Sequence, residues 1–134
     1  MATIQKEILT RASVDQAWDA IRDIGALHTR LVPGFVLDTQ LEPGARVVTF
    51  FNGATAREHI VTLDEERKRL VWAAESSFLK HYNGSAQVFE RDHLTCVVWT
   101  ADFLPDDAAA AVGPLMDAGA KAMKVALDKL AGDA

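Results

Sequence analysis

Two polar side chains near the middle of the sequence carry groups suited to proton chemistry. Glu58 lies in a segment whose side chains alternate, so Glu58, Ile60 and Thr62 share one face of a strand. A carboxyl buried there without a partner would have a raised pKa and could act as general acid or base, or could anchor a water. The alternative is a structural ion pair with Arg46, one strand away.

Tyr82 is the second candidate, because a phenol can make one directional hydrogen bond inside an apolar chamber. If the protein is an enzyme, Glu58 would transfer protons and Tyr82 or Arg46 would polarise an oxygen. If it is not, Tyr82 is equally well explained as an ordinary core tyrosine.

The remaining reactive side chains indicate neither a metal nor a cofactor. The four histidines lack H-x-H, H-x-x-x-H and H-E-x-x-H spacing, and the single Cys96 has no partner for a zinc site. Alternation places Cys96 on the face away from Trp99, which favours a buried, inert thiol. No glycine-rich loop joins a strand to a helix as nucleotide binding would need. We therefore predict no metal and no cofactor.

Composition limits the class of protein. The chain has 134 residues, a hydrophobic fraction of 49% and a charged fraction of 25%, which is typical of one globular domain spanning 1–134. The net charge of −5, without a separate basic cluster, argues against a nucleic-acid partner. No stretch approaches the roughly 20 apolar residues of a membrane span, and the start does not resemble a signal peptide. A cytoplasmic location without integral membrane association is the expectation.

Secondary-structure signals follow a simple order. A strand is predicted over 3–10, followed by short helices over 14–22 and 24–32, the first with a capping box from Ser13 and Gln16. Turn residues then separate short alternating segments, which predicts an antiparallel meander. Its six strands are expected at 35–41, 45–51, 55–63, 69–76, 82–90 and 94–103.

The last segment has helical periodicity. Apolar or small residues recur at three- and four-residue spacing at Val112, Met116, Gly119, Met123, Leu127 and Leu130. Asp106 and Asp107 are candidate caps. Pro114 predicts either a kink near Gly113 or a regular helix that begins only there.

The order of elements and several local motifs resemble the START/Bet v 1-like (SRPBCC) superfamily, in particular its polyketide cyclase/dehydrase-like branch. The motifs are GAR at 44–46, REHIVTLD at 57–64, RLVW at 69–72, HYNGS at 81–85 and VWTADFLP at 98–105. The resemblance covers essentially the whole chain and implies a helix-grip fold. That fold is an α+β architecture in which a seven-stranded curved antiparallel sheet surrounds a long C-terminal helix, with two short helices between strands 1 and 2.

The resemblance also implies an internal pocket and selects the faces that line it. Alternation places Trp99 and Phe103 inward as well, and the small and flexible side chains of the last helix are compatible with empty space beside Gly119 and Ala120. The predicted ligand-binding residues are Arg46, Val48, Phe50, Glu58, Ile60, Trp72, Ala74, Tyr82, Trp99, Met116, Ala120 and Met123.

Three functions remain open at this point. The first is binding or transport of a small hydrophobic ligand, such as a lipid, polyketide, quinone or isoprenoid-like molecule. The second is a polyketide cyclase/dehydratase-like enzyme that uses Glu58 as general acid or base. The third is a protein-interaction module, or a homodimer, that uses the outer sheet face, where Val47, Phe51 and Val71 would be exposed.

Overall fold

One antiparallel sheet organises the chain in a computed structural model that describes residues 1–77 and 79–132. Its order is β1-β7-β6-β5-β4-β3-β2, so every neighbouring pair except β1 and β7 is also consecutive in sequence. This confirms the predicted seven-stranded meander. The strands are β1 (Ala2–Thr10), β2 (Val36–Glu42), β3 (Ala45–Phe50), β4 (Thr55–Asp64), β5 (Arg69–Glu75), β6 (His81–Arg91) and β7 (Leu94–Leu104).

Register shifts occur at two places in the sheet. The β2–β3 pairing shifts between Val36 and Asp38, and the β4–β5 pairing shifts between Ile60 and Thr62. An extra residue in one strand bends that strand and increases its twist. Both shifts lie in the half of the sheet that carries Glu58, where strong curvature creates a concave face.

The short helices between β1 and β2 cover one end of this concave face. Helix α1 (Val14–Arg22) has the predicted capping box, since Ser13 Oγ accepts from the Gln16 amide at 3.0 Å and Gln16 Oε1 accepts from the Ser13 amide at 2.9 Å. The second predicted helix is divided into a 3-10 turn (Ile24–Ala26) and a π turn (Leu27–Leu31). Gly25 allows this segment to approach β2, because a Cβ there would lie 2.9 Å from Leu41 Cδ1.

The C-terminal helix, α2 (Ala109–Gly132), follows a 3-10 turn (Asp106–Ala108). Of the two alternatives for Pro114, a regular helix that begins only near Gly113 is wrong, because Pro114 lies inside α2. Proline removes one amide donor, and the rest of the helix is held by the packing of its apolar face. That face buries Val112, Met116, Gly119, Met123 and Leu127, whereas Leu130 is exposed.

Gly119 is a point of close contact between α2 and the large side chains that face it. A Cβ at this position would lie 2.9 Å from Cη2 and Cζ3 of Trp99 and 3.1 Å from Cε2 of Phe35. The expectation of empty space beside Gly119 is therefore wrong, because the Trp99 indole already fills it. The glycine permits a close helix–sheet contact, and the open volume lies elsewhere.

Candidate functional site

A cavity of about 470 Å³ lies between the concave face of the sheet and α2. Its volume falls within the range of roughly 300–1,000 Å³ that is usual for small-molecule sites. Most of its wall is apolar, and the lining includes the β3–β4 turn with the first residue of β4, and also Ser76, Ser77 and Leu79, which lie between β5 and β6. Exposed residues of the lining at the β3–β4 turn and the start of β4, Asn52, Gly53, Ala54 and Thr55, mark an end that opens to solvent.

The cavity wall contains most of the side chains that the sequence predicted to bind a ligand. The sheet contributes polar and aromatic groups, and α2 contributes two methionines. These residues are Arg46, Phe50, Glu58, Trp72, Ala74, Tyr82, Trp99, Met116 and Met123.

Three predicted ligand-binding residues do not line the cavity. Val48 shares a face with Arg46 and Phe50 but is fully buried within the packed core. Ile60, which faces Trp72 across the β4–β5 pair, packs against the core where the register of the two strands shifts. Ala120 also packs against the core, beside the methionines of α2. Side-chain alternation assigns a face to each residue but does not give the extent of the open space along that face.

Sequence reasoning missed the part of the wall that comes from the short helices and the start of β2. Leu27 and Leu31 of the π turn line the cavity together with Phe35. The apolar rhythm of 24–32 predicts a short helix, but this rhythm alone does not show that its apolar face lines a cavity. Phe35 also packs edge-on against Phe50, with ring centroids 5.6 Å apart.

A buried ion pair lies in the cavity wall. Arg46 Nε donates to Glu58 Oε1 at 2.8 Å, and the two residues are 2% and 7% exposed. The guanidinium also donates through Nη1 to the Ile24 carbonyl at 3.3 Å and lies 5.6 Å from the centre of the Trp72 ring. Of the two alternatives for Glu58, the structure therefore shows the ion pair with Arg46. The carboxyl is not the unpartnered group that would be poised for proton transfer.

Trp72 packs beside this ion pair, with the Arg46 guanidinium over its ring. Its indole lies directly over Gly84 of β6, where a Cβ would come within 2.4 Å of Cε2 of the ring. Any residue with a side chain at position 84 would force the indole away from the sheet and towards the cavity. Glycine at this position thus contributes to keeping the cavity open.

Tyr82 lies near Glu58 at the cavity wall and stacks on Phe103, with ring centroids 6.5 Å apart and an interplanar angle of 19°. Burial, and then the negative charge of Glu58, raise the pKa of the Tyr82 phenol well above its usual value. The hydroxyl is therefore neutral at physiological pH and available as a hydrogen-bond donor. Phe103, predicted to face inward, is fully buried in the core beneath this ring.

The raised pKa of Tyr82 makes stability depend on alkaline pH. Unfolding restores a phenol pKa of about 10, so the stabilisation from keeping it neutral is complete below about pH 10 and is lost as the pH rises further. Between pH 9 and 11, urea unfolding should show a steeper fall in the free energy of unfolding for the wild type than for Tyr82→Phe. An equal fall in the free energy of unfolding with pH in the two proteins would contradict this placement of the phenol, since Tyr82 is the single tyrosine of the chain.

The other reactive groups lie away from the cavity. Cys96 is fully buried on the opposite face of the sheet, with Sγ 3.9 Å from Glu7 Oε2, and burial is the main cause that raises the pKa of its thiol. Within residues 1–77 and 79–132, no three or more His, Cys, Asp or Glu side chains form a group that could hold a metal ion. The absence of a metal stays a prediction.

The three residues that the interaction hypothesis names on the outer sheet face are not equally accessible. Phe51 is exposed and Val47 is half-buried, but Val71 is only 5% exposed. The expectation that Val71 would be exposed is wrong. Neighbouring side chains cover this valine, so the three residues do not form one open patch.

Comparison with known proteins agrees with this architecture. The profile of the family described as "Polyketide cyclase / dehydrase and lipid transport" matches residues 1–134, and the chain belongs to that family. The chain has the helix-grip fold of the START/Bet v 1-like superfamily, and the family description supports a fold that binds hydrophobic ligands. A search of curated protein sequences found no match.

Solved structures with the same fold come from bacteria and from a plant. The protein XoxI from Bacillus cereus is 20% identical, with a TM-score of 0.84 and coverage of 95% of this chain and 96% of that chain. A START superfamily protein from Mycobacterium smegmatis is 10% identical, with a TM-score of 0.78 and coverage of 96% and 98%. Truncated norcoclaurine synthase from Thalictrum flavum is 20% identical, with a TM-score of 0.72 and coverage of 99% and 94%. Identities this low establish the shared fold alone.

No helix within the described part of the chain has both the length and the apolar character needed to cross a bilayer.

Proposed function

We propose that this protein binds or carries a small hydrophobic molecule in the cavity between the sheet and α2. The ligand would be lipid-, polyketide-, quinone- or isoprenoid-like, and residues 1–134 would act as one binding domain in the cytoplasm. The observation that carries the proposal is a cavity of about 470 Å³ whose wall is mostly apolar and includes the faces of two tryptophans. Such a space is far larger than the packing defects of an ordinary core.

The polar groups in the wall support binding of a ligand with one polar end. Arg46, Glu58 and Tyr82 line the same cavity as Trp72 and Trp99. An apolar ligand that displaces water from this mostly apolar space also releases its own hydration on entry. The flexible Met116 and Met123 could adapt to ligands of different shapes.

The test is to purify the protein from its host and to identify any co-purifying small molecule by native mass spectrometry. A bound molecule that is retained by the wild type and lost from Trp72→Ala would support the proposal, because this substitution removes a large apolar part of the wall. Trp18→Ala is a suitable control, since Trp18 lies outside the cavity and donates to Glu65 Oε1 at 2.6 Å. Recovery of the protein without any ligand would count against it.

A second candidate is a cyclase or dehydratase-like enzyme acting on a polyketide-like substrate. The observation that favours it is that a carboxylate and a phenol, Glu58 and Tyr82, line one apolar cavity in a member of a family whose description includes polyketide cyclases. In this mechanism Glu58 would exchange a proton with the substrate and neutral Tyr82 would donate to a substrate oxygen. The ion pair with Arg46 opposes it, because the Glu58 oxygen that accepts from Arg46 Nε is already occupied by that hydrogen bond.

Glu58→Gln separates the two candidates once a ligand is known. A carrier should retain most of its affinity, because glutamine keeps the shape and one acceptor oxygen of the side chain. An enzyme should bind its substrate and fail to convert it, as measured by product formation in a single turnover. Unchanged turnover by Glu58→Gln would remove Glu58 as the proton-transfer group.

The third function, a homodimer that uses the outer sheet face, stays a prediction.

A further inference from the structure

A second concave space, which we call the α2 groove, lies on the protein surface beside the cavity. It is formed by one face of α2 from Ala118 to Leu130, by residues 29–30 and 33–35, and by Phe51, and its volume is about 720 Å³. Phe35 is the one described residue that lines both the groove and the cavity. The groove is therefore a separate space, of a size usual for small-molecule sites, and the proposed function does not use it.

Much of the surface of the α2 groove is apolar and accessible. Ala118, Ala122 and Ala126 recur every four residues along α2 and contribute small side chains to one face of the helix. Two larger apolar side chains of the groove are accessible as well, since Phe51 is 50% exposed and Val125 is 51% exposed. An apolar chain that covers these side chains would remove apolar surface from water, which favours binding.

The charge of the α2 groove is opposite to that of the whole chain. Its charged lining residues, among those that the structure describes, are Arg30, Lys121 and Lys129, whereas the chain carries a net charge of −5. The charge of Arg30 is already compensated, because its guanidinium pairs with Asp19 at 2.7 Å and with Asp23 at 3.0 Å. The two lysines therefore decide whether the groove attracts an anion.

Both lysines are exposed and available to a ligand. Neither Lys121 nor Lys129 forms an ion pair or a side-chain hydrogen bond with a residue in 1–77 or 79–132. Asp117 lies one turn before Lys121 but pairs with Lys6 at 2.6 Å. The two lysines are eight residues apart, which corresponds to about 12 Å along the helix, and their long side chains can approach one head group between them.

We propose that the α2 groove is a second ligand site, which binds an amphipathic anion with an apolar chain and one carboxylate or phosphate head group. Lys121 and Lys129 donate charge-assisted hydrogen bonds to the head group, and the chain covers Phe51, Val125 and the alanines of α2. A single molecule in solution fits a concave groove, whereas a flat bilayer would meet only its rim. This site does not depend on the cavity, so it goes beyond the proposed function.

The experiment compares decanoate with its uncharged analogue 1-decanol by isothermal titration calorimetry at about pH 7.5, where the carboxylate is ionised. The protein is the full chain with Ala74→Phe, because a phenyl ring in the cavity prevents the probes from binding there. Decanoate should bind at least about fivefold more tightly than 1-decanol, and adding Lys121→Gln and Lys129→Gln should abolish this preference. The matched control adds Lys68→Gln and Lys80→Gln, which change the net charge equally outside the groove and should keep the preference.

Equal affinities of Ala74→Phe for decanoate and 1-decanol, or a preference that Lys121→Gln/Lys129→Gln leaves unchanged, would overturn the inference. Binding to phosphatidylglycerol vesicles without binding of monomeric decanoate would also overturn it, because the groove would then recognise a membrane surface. If Ala74→Phe fails to fold, the two lysine double variants are compared in the otherwise wild-type chain, where only Lys121→Gln/Lys129→Gln should weaken decanoate binding. Failure of the wild type to bind an uncharged probe such as 2-acetylnaphthalene would count against the proposed function of the cavity and leave the groove unaffected.

Discussion

Replacing Glu58 with alanine should lower the free energy of unfolding by about 3–5 kcal/mol, the usual cost of leaving one member of a buried ion pair without its partner. The Arg46 guanidinium would keep only the Ile24 carbonyl and the face of Trp72 as polar contacts. Neither compensates for the lost carboxylate, because the site is almost closed to solvent. Chemical denaturation monitored by far-UV circular dichroism measures the change.

Two further variants test whether the pair or the carboxyl alone is responsible. The double variant Arg46→Met/Glu58→Leu should recover most of the lost stability, because apolar residues of similar volume replace buried ion pairs well. Glu75→Ala, which removes the exposed partner of His59 on the outer face, should change little. A double variant no more stable than Glu58→Ala would show that the loss comes from packing and not from an uncompensated charge.

Ala74→Phe should reduce the affinity for 2-acetylnaphthalene at least about 100-fold, equivalent to roughly 2.7 kcal/mol of binding free energy. Ala74 lies on β5 beside Glu58 and lines the cavity, so a phenyl ring there would occupy the volume that the ligand needs. Stability should change little, since the added ring enters open space and displaces no packed side chain. Isothermal titration calorimetry and thermal unfolding of the same variant measure the two quantities.

Ala73→Phe is the matched control, because Ala73 precedes Ala74 on β5 and its side chain points to the opposite face of the sheet. It adds the same volume to the same strand outside the cavity, and its affinity should remain within about threefold of the wild type. Wild-type affinity in both Ala74→Phe and Ala73→Phe would place the binding site elsewhere on the molecule. Equal losses in both would indicate damage to β5 itself.

The stability loss expected for Glu58→Ala and the affinity loss expected for Ala74→Phe both concern neighbouring residues of the cavity wall. Arg46 and Glu58 are held by β3 and β4, which pair directly at these residues, and β5 adds Trp72 and Ala74 next to them. Charge, aromatic surface and open space thus come from three adjacent strands. A substitution on these strands should affect stability if it breaks the ion pair and binding if it fills the cavity.

The amino-acid sequence alone determined the elements and their order. Ser13 and Gln16 predicted the start of α1, turn residues separated the strands, and short connections required antiparallel neighbours. These features depend on contacts between residues that are close along the chain, so local chemistry is sufficient to predict them. Alternation likewise grouped Trp72 with Ala74 and separated both from Ala73, although the resemblance to a family was needed to choose the inner face.

Only the tertiary structure decided where the open space lies and which groups are paired around it. Val48, Ile60 and Ala120 have the periodicity of wall residues but are taken up by the core, and Gly119 is covered by Trp99. The pairing of Glu58 with Arg46 was one of two alternatives until the β3–β4 register placed them side by side. The physical reason is that a cavity is the volume left unfilled after side chains from distant parts of the chain have packed. A local sequence pattern does not determine the position of that volume.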